Sequence, residues 1–306
     1  YNIDYSSTSG KLTLDASGYI QLNSSIETGT GGLVLKAGAG FAEAASGITL
    51  DLSGPFEIAT GDSTIGTDGF GSPAFAATLT GDGNLTKSGT GRLILSGNNS
   101  SWTGSAVVES GALRVTNANA LGSSTSSTSI KSNGTLEISG GITIAEPILL
   151  EQGKLISLSG DNTLSKTLQL VGSSSVEVRQ DTLTLDPSSG KAVIVNSGSD
   201  AFNSDLTYSG AGDFFVKGSL NLQDGQSTKT YGDFRQTGAG TARLQDSFFA
   251  ERAEITAGGV LWLDQPVYGD IEVTTLFLDN GALLRRDVSE TVVGANLELG
   301  SGGGGI

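Results

Sequence analysis

Apolar and polar residues alternate along most of this chain in short runs, and a glycine turn introduces each run. The clearest run is 85–97, with looser copies at 206–218, 28–35 and 237–240 that share the pattern Ser/Thr-Gly-Thr/Ala-Gly. Glycine permits the positive φ of a tight turn, and period-two alternation is typical of a strand with one buried face. The pattern predicts repeated copies of one turn-and-strand unit.

A second motif, a glycine followed by alternating apolar residues, indicates the length of the repeat. It begins at Gly10, Gly111, Gly134, Gly153, Gly172, Gly259 and Gly281. Successive glycines of this motif lie 23 residues apart from 111 to 134, 19 apart from 134 to 153, and 19 apart from 153 to 172. Coils of about 20 residues that bury their inward faces against one another predict an all-β parallel solenoid.

Within this prediction, the important residues are those that define each coil. Glycines provide the turns, apolar residues point inward, and one tryptophan packs at the coil edge. The candidate structural residues are Gly89, Gly91, Leu93, Leu95, Trp102, Gly111, Leu113, Val115, Gly210, Gly212, Gly259 and Leu261.

Composition narrows the chemistry. The chain has no Cys and no His, which excludes a Ser-His-Asp triad, a Cys-His dyad and metal sites built on those ligands. Its net charge of −15, from 32 acidic and 17 basic residues, argues against binding to nucleic acid or to anionic lipid. No apolar run approaches the roughly 18 residues of a membrane-spanning helix, so no direct membrane insertion is expected.

The chain is predicted to form a single β-helix over residues 1–300. Within it, 1–54 are coils of slightly different character, 55–80 are an irregular insertion rich in Gly and Pro, and 81–300 are the more regular coils. Residues 301–306 are a Gly-rich tail with the composition of a flexible linker.

Residues 84–115 resemble the strand repeat of bacterial autotransporter passengers. In that family an aromatic-Thr-Gly element follows a Ser-Gly-x-Asn turn, and here Trp102 occupies the aromatic position after 96–99. Residues 6–54 resemble the coils of secreted adhesins of the filamentous-haemagglutinin type. Both resemblances imply a right-handed parallel β-helix on or outside a Gram-negative cell.

Carboxylate chemistry is the main rival to a structural role, because parallel β-helices also include polysaccharide hydrolases and lyases. The candidate acids are Glu177, Asp181, Asp186, Glu251 and Glu254. Glycoside hydrolysis needs two carboxylates that face one sugar-binding groove, and Glu177 and Asp181 could share a sheet face. The chain lacks the clustered aspartates of pectin hydrolases, so these acids are interpreted as solvated surface groups and no catalytic residue is assigned.

Three other features have structural and functional interpretations. The turns 81–84 and 67–69 offer oxygen ligands, so Ca²⁺ is an open alternative to the prediction of no cofactor.

Tyr231 and Tyr268, each followed by Gly-Asp, could stack on sugars, although coil capping is the preferred interpretation. The pairs Asn98/Asn99 and Asn117/Asn119 could form ladders of stacked amides. Trp102 and Trp262 are expected to pack rather than bind ligand.

These observations predict a non-enzymatic structural rod or adhesive stalk of a bacterial surface protein or extracellular fibre, located outside the cell. End-to-end self-association is the expected partnership, with host or surface glycans as further candidate partners. A β-helix that binds or cleaves polysaccharide is one alternative function. An adhesin that binds a receptor through 55–80 is the other.

Overall fold

The computed structural model of this 306-residue chain describes residues 3–5, 7, 9–22, 24–37, 40–41, 49–52, 56–60, 74–75, 78–195, 204–223, 231–264, 270–286, 296–302 and 304–305. Its regular structure over these ranges is β-strand. Among the described residues, no helix has the length and apolar character needed to cross a membrane. The chain divides into two compact units, residues 1–146 and 147–306.

Short parallel strands joined by tight turns make up the first unit. They are β1 (Ile3–Tyr5), β2 (Leu12–Ala16), β3 (Tyr19–Ile20), β4 (Ile26–Thr28), β5 (Leu33–Ala37), β6 (Gly40–Phe41), β7 (Thr49–Leu52), β8 (Phe56–Thr60), β9 (Ala74–Phe75), β10 (Thr78–Gly81), β11 (Leu85–Ser88), β12 (Arg92–Leu95), β13 (Ala106–Val115), β14 (Thr128–Ser139) and β15 (Thr143–Ile144).

The second unit continues the same kind of structure. Its strands are β16 (Ile148–Glu151), β17 (Lys154–Ser159), β18 (Asn162–Leu164), β19 (Leu168–Val171), β20 (Ser174–Val178), β21 (Thr182–Leu185), β22 (Lys191–Val195), β23 (Leu206–Ser209), β24 (Asp213–Val216), β25 (Ser219–Asn221), β26 (Phe234–Gln236), β27 (Thr241–Leu244), β28 (Phe248–Ile255), β29 (Val260–Leu263), β30 (Ile271–Leu278), β31 (Ala282–Arg286), β32 (Asn296–Leu299) and β33 (Gly304–Gly305).

The strands of the first unit stack in parallel on three faces. One face is the sheet β1-β4-β7-β10. A second runs through β2, β5, β8 and β11 into the first halves of β13 and β14. The third contains β9, β12 and the second halves of β13 and β14. The short strands β3 and β6 also pair with each other. Each coil visits the faces in turn, which is the geometry of a parallel β-solenoid.

The second unit has the same three-faced plan. The first stack is β16, β19, β22, β25 and the first halves of β28 and β30. Another contains β17, β20, β23, β26, the second halves of β28 and β30, and β32. The last is β18-β21-β24-β27-β29-β31-β33. All of these pairings are parallel.

Register pairs define the coil length. Leu85 pairs with Ala106 and Leu93 pairs with Leu113, offsets of 21 and 20 residues. The typical coil of about 21 residues confirms the predicted all-β parallel solenoid with coils of about 20. Right-handedness stays a prediction. The offset widens to 32 where β20 pairs with β23, and residues 196–203 of that longer connection lie outside the described part of the chain.

The core of the second unit consists of inward columns in which each coil contributes one apolar residue. One column contains Leu168, Val193, Leu220, Phe248 and Ile271, matched in register from coil to coil. All five are buried. Apolar burial stabilises by roughly 25 cal/mol per Å², so every coil depends on the next to cover its inward face.

Two sequence expectations look different in the structure. The segment 55–80, predicted to be irregular, contains β8, β9 and most of β10, while 61–73 lie outside the described residues. The turn at 28–33 joins β4 to β5, whereas the turn at 88–92 joins β11 to β12. Because β5 and β11 both belong to the second face, the two copies of the motif form different corners of the coil.

We predict that Leu95→Asp lowers the free energy of unfolding by more than about 3 kcal/mol, because it places a carboxylate without a partner in the core. Leu95 is 0% exposed. The matched control is Leu283→Asp, since Leu283 is 49% exposed and should change stability by less than about 0.5 kcal/mol. Urea denaturation measures both variants, and equal stabilities would contradict the inward placement of Leu95.

Candidate functional site

The candidate site is the set of inter-coil contacts around residues 79–146, where the most regular repeat lies. Leu93 and Leu113 pair in neighbouring coils, as do Leu95 and Val115. All four side chains are 0% exposed. The next coil continues both columns through β14. These predicted repeat residues therefore lie together as the inward face of consecutive coils.

Glycines bring the coil corners close together. Gly89 and Gly111 have φ of 76° and 69°, the left-handed region that favours glycine. A Cβ at Gly111 would also overlap the carbonyl oxygens of Gly89 and Gly91. The amide of Ala112 donates to Gly91 O at 3.2 Å across the same corner. The corner thus needs glycine both for its backbone angle and for its close approach.

Trp102 is buried and fixes the third corner of the repeat. Its indole Nε1 donates to Gly83 O at 2.7 Å, in the preceding coil. Glycines at 104 and 122 leave room for the ring, because a Cβ at Gly104 would lie 2.6 Å from Nε1 and one at Gly122 would lie 2.9 Å from Cε3. Trp102 is 0% exposed, so its ring fills the coil edge and is not presented to a ligand.

Asn99 links three successive coils. Its Oδ1 accepts a hydrogen bond from Leu79 N at 2.8 Å, and its Nδ2 donates to Ala120 O at 2.6 Å. Its backbone amide donates to Asn119 O at 3.1 Å. The side chain is fully buried and bonded at both ends. The described bonds run from side chain to backbone, whereas the sequence suggested amides stacked on amides.

Sequence reasoning missed a buried lysine in the same repeat. Lys87 is 0% exposed, and its Nζ donates to Ser88 O, Gly89 O and Ser110 O at 2.7, 3.0 and 3.1 Å. Burial lowers the pKa of Lys87 to about 8. The sequence did contain a signal for this position. Side chains two residues apart on a strand point to the same face, and Lys87 lies two residues after the inward Leu85.

The second unit uses the same device with other residues. Tyr208 and Gln236 also precede their Gly-x-Gly turns by two residues and are buried. The hydroxyl of Tyr208 donates to Gly212 O, and Nε2 of Gln236 donates to Gly240 O at 2.5 Å. This position of the motif thus holds a long inward side chain whose polar tip donates to carbonyls of its own turn.

An ion-pair cluster joins three coils on the outer side of the repeat. Glu137 accepts from Arg92 Nε and from Arg114 Nε, both at 2.8 Å. Burial alone would raise the pKa of the Glu137 carboxyl, but the bonds to the two guanidinium groups lower it below its usual value. Because the three residues come from β12, β13 and β14, the cluster ties consecutive coils together.

Glu146 is a buried carboxyl whose described partners are hydroxyls. Its Oε2 accepts from Ser126 Oγ at 3.2 Å, and its Oε1 accepts from Thr128 Oγ1. Burial raises the pKa of Glu146 to about 7, although the two hydroxyl bonds work in the opposite direction. This group titrates close to neutral pH and has no counterpart in the sequence predictions.

The remaining predicted repeat residues lie in the second unit. Gly210 has φ of 108°, and Gly212 approaches Asp181 O so closely that a Cβ would lie 2.6 Å from it. Gly259 lies in the turn before β29, beside the amide of Gln236. Leu261 is 1% exposed and points inward.

The carboxylates of four of the five candidate catalytic acids have described partners, and Glu251 is exposed on β28. Glu177 lies between Lys154 and Arg179, at 2.5 and 2.6 Å. Asp181 Oδ2 accepts from Gly160 N at 2.7 Å, and Asp186 pairs with Lys217 at 2.7 Å. Glu254 lies 3.8 and 3.7 Å from Arg235 and Arg252.

The turn at 81–84 directs its oxygens to neighbouring coils. Gly81 O accepts from Thr103 N at 2.9 Å, and Asn84 Oδ1 accepts from Ser105 N at 2.9 Å. Within the described part of the chain, no three His, Cys, Asp or Glu side chains form a group that could hold a metal ion. The other candidate turn, 67–69, lies outside the described residues.

The other aromatic candidates pack against protein groups. Tyr231 is 8% exposed and therefore buried, whereas Tyr268 lies outside the described residues. Trp262 lies on the outer face of β29 between two arginines, with Arg243 Cζ at 4.2 Å and Arg285 Cζ at 3.9 Å from the ring. Arg243 and Arg285 pair with Trp262 from the two neighbouring coils, so cation–π contacts with protein groups already engage this ring.

The repeat geometry and its sequence correspond to a known family model. Residues 85–115 match the passenger-associated-transport-repeat. The chain carries an autotransporter passenger repeat. The passenger-associated-transport-repeat therefore coincides with the segment from β11 to the end of β13, including Lys87, Trp102 and both columns of inward aliphatic residues.

The match confirms the resemblance noted for this segment, so the chain is a β-solenoid that contains an autotransporter passenger-type repeat. A passenger repeat implies secretion to the cell surface. Comparisons with curated proteins and with solved structures found no significant match. The resemblance of residues 6–54 to haemagglutinin-type coils stays a prediction.

We expect Lys87→Met to lower the free energy of unfolding by about 2–4 kcal/mol, because three carbonyl acceptors lose their buried donor while the apolar stem is kept. Lys11→Met is the matched control. Lys11 is exposed directly before β2, so this substitution should change the free energy of unfolding by less than about 0.5 kcal/mol. Chemical denaturation at neutral pH compares the two, and a neutral or stabilising Lys87→Met would contradict a capping role.

Glu146 should make stability depend on pH. Because its folded pKa of about 7 lies above the ordinary glutamate pKa of 4.5, its contribution to stability is fully present below pH 4.5 and is lost as the pH rises through 7. Glu146→Gln keeps a neutral hydrogen-bonding group and should remove up to about 3 kcal/mol of that dependence between pH 4.5 and 7.5. Urea titrations of both proteins across this range test the prediction, and parallel pH profiles would contradict it.

Proposed function

We propose that this chain is a non-enzymatic, extracellular structural rod or adhesive stalk of a bacterial surface protein or fibre. The observation that carries the proposal is the register between coils within each unit, in which inward apolar residues of neighbouring coils align. Within each unit, backbone bonds and buried columns therefore link one coil to the next. Coils that stack in this way support one another against local opening.

The surroundings of the candidate catalytic acids support the non-enzymatic part of this proposal. Glu177 and Asp186 are committed to lysine or arginine partners, and Asp181 caps a turn amide. A glycosidase needs one free carboxylate nucleophile or base and a second acid across the sugar. These side chains stabilise the outer surface of the coils instead.

End-to-end self-association is the second part of the proposal, and the C-terminal coil supports it. Leu297 and Leu299 continue the inward columns of Leu276 and Leu278, with which they pair in register. The two earlier leucines are buried, but Leu297 and Leu299 are 47% and 58% exposed. Among the described residues of the second unit, β32 pairs with β30, and an inward face left exposed beside a strand is a template for another parallel strand.

The first coil offers a complementary edge. On β2, Leu12 and Leu14 are half-buried, whereas their partners on the next coil, Leu33 and Leu35, are 0% exposed. Docking of this edge on the C-terminal coil of another copy would cover both sets of leucines. Because the two surfaces differ, such a contact is head-to-tail and produces open filaments rather than a closed dimer.

We expect the chain to form filaments as its concentration rises, and Leu297→Asp/Leu299→Asp to remain as single rods with an unchanged Tm. Buried charge would prevent docking of the strand edges, while the other coils keep their packing. Electron microscopy and light scattering over a concentration series measure the assembly.

Leu283→Asp is the control, because Leu283 is exposed but lies outside these inward columns. Filaments that persist in the double variant would show that another surface mediates assembly. A wild-type chain that stays as single particles at every concentration would overturn end-to-end association.

A further inference from the structure

A small pocket opens at one corner of the second unit. It is lined by residues of three successive coils, at Pro147, 165–167, Gln169 and 187–189, and has a volume of about 190 Å³. Drug-sized ligands occupy about 300–1,000 Å³, so this pocket has room for one small unit of a larger molecule. Neither the repeat contacts nor the proposed rod function accounts for it.

The charge of the pocket is opposite to that of the protein. Lys166 is exposed within it, and none of the described residues that line it carries a carboxylate. The whole chain has 32 acidic residues and a net charge of −15. Two acids lie next to the lining in sequence: Asp186 is paired with Lys217 at 2.7 Å, and the buried Glu146 accepts from Ser126 Oγ and Thr128 Oγ1. The pocket therefore offers one positive charge to an anionic group.

The rest of the lining suits a polyol. Hydroxyl and amide side chains come from 165–167, Gln169 and 188–189, and each type can both donate and accept hydrogen bonds. Thr167 is held in place, since its Oγ1 donates to Lys191 O at 2.8 Å and lies 3.3 Å from Ser189 Oγ. The rings of Pro147 and Pro187 add apolar walls against which the C–H face of a sugar can pack.

The composition also favours a carboxylate over a phosphate. Phosphate sites typically use bidentate arginine or several converging backbone amides. Here the described lining provides a single lysine, which acts as a point charge, and no arginine. One positive charge beside several hydroxyls matches a sugar that carries one carboxylate.

We propose that this corner pocket binds one carboxylated sugar unit of an acidic glycan, with Lys166 facing the carboxylate and the Ser, Thr and Gln side chains facing the hydroxyls. The shallow site and single charge make the affinity weak, with Kd in the millimolar range. Binding of this kind would be independent of filament formation, because the pocket lies on the side of the coils.

The test is an NMR titration of the isotope-labelled full chain with methyl glucuronide, methyl glucoside and acetate. We expect methyl glucuronide to bind with a millimolar Kd and both other probes to bind at least tenfold more weakly. Lys166→Gln should weaken methyl glucuronide binding at least tenfold with no change in Tm. Lys11→Gln, at an exposed lysine in the other unit, should bind like the wild type.

A second variant, Ser188→Phe, should fill the pocket from an exposed turn position and abolish binding without unfolding the chain. Equal affinity for the glucoside would overturn the role of the charge. Equal affinity for acetate would reduce the site to a general anion site and overturn the sugar assignment. Absence of saturation by methyl glucuronide at high millimolar concentration would overturn the proposal as a whole, while leaving the rod function unaffected.

Discussion

The structure depends on parallel pairing of each coil with the next. A single coil of about 21 residues cannot bury its own inward residues, so its stability comes from the coils above and below. Leu95 packs because Val115 continues its column, and Leu168 packs because Val193 does the same in the second unit. The other contacts of the chain either preserve this register or finish its corners.

Buried polar groups show how the corners are completed. A turn at each corner leaves carbonyls and amides without strand partners, and leaving such groups unbonded in the interior is costly. Lys87 and Asn99 reach across coils to bond them, and Trp102 bonds the carbonyl of Gly83. These side chains combine an apolar stem that packs in the core with a polar tip that bonds the turn. In this way the corner carbonyls that they reach gain hydrogen-bond donors inside the repeat.

On the outer side, paired charges and aromatic stacks connect coils in an acidic protein. Glu137 is shared by Arg92 and Arg114, and Arg243 lies between the rings of Phe215 and Trp262. These arginines are thus engaged in contacts between coils. The exposed Lys166 is the candidate for a ligand contact because it lines a pocket whose described lining has no carboxylate.

The sequence alone determined the fold class, the coil length and the inward position of residues such as Leu93 and Val115. Period-two alternation and glycine spacing are local properties, and each coil repeats them. It could not determine which corner each glycine turn forms, since the copies at 28–33 and 88–92 have similar residues but join different faces. Nor could it reveal that Lys87 also bonds Ser110 O or that Glu146 is buried against Ser126 and Thr128, because these partners lie in neighbouring coils. Those features depend on which coil stacks on which, and only the tertiary structure decides that.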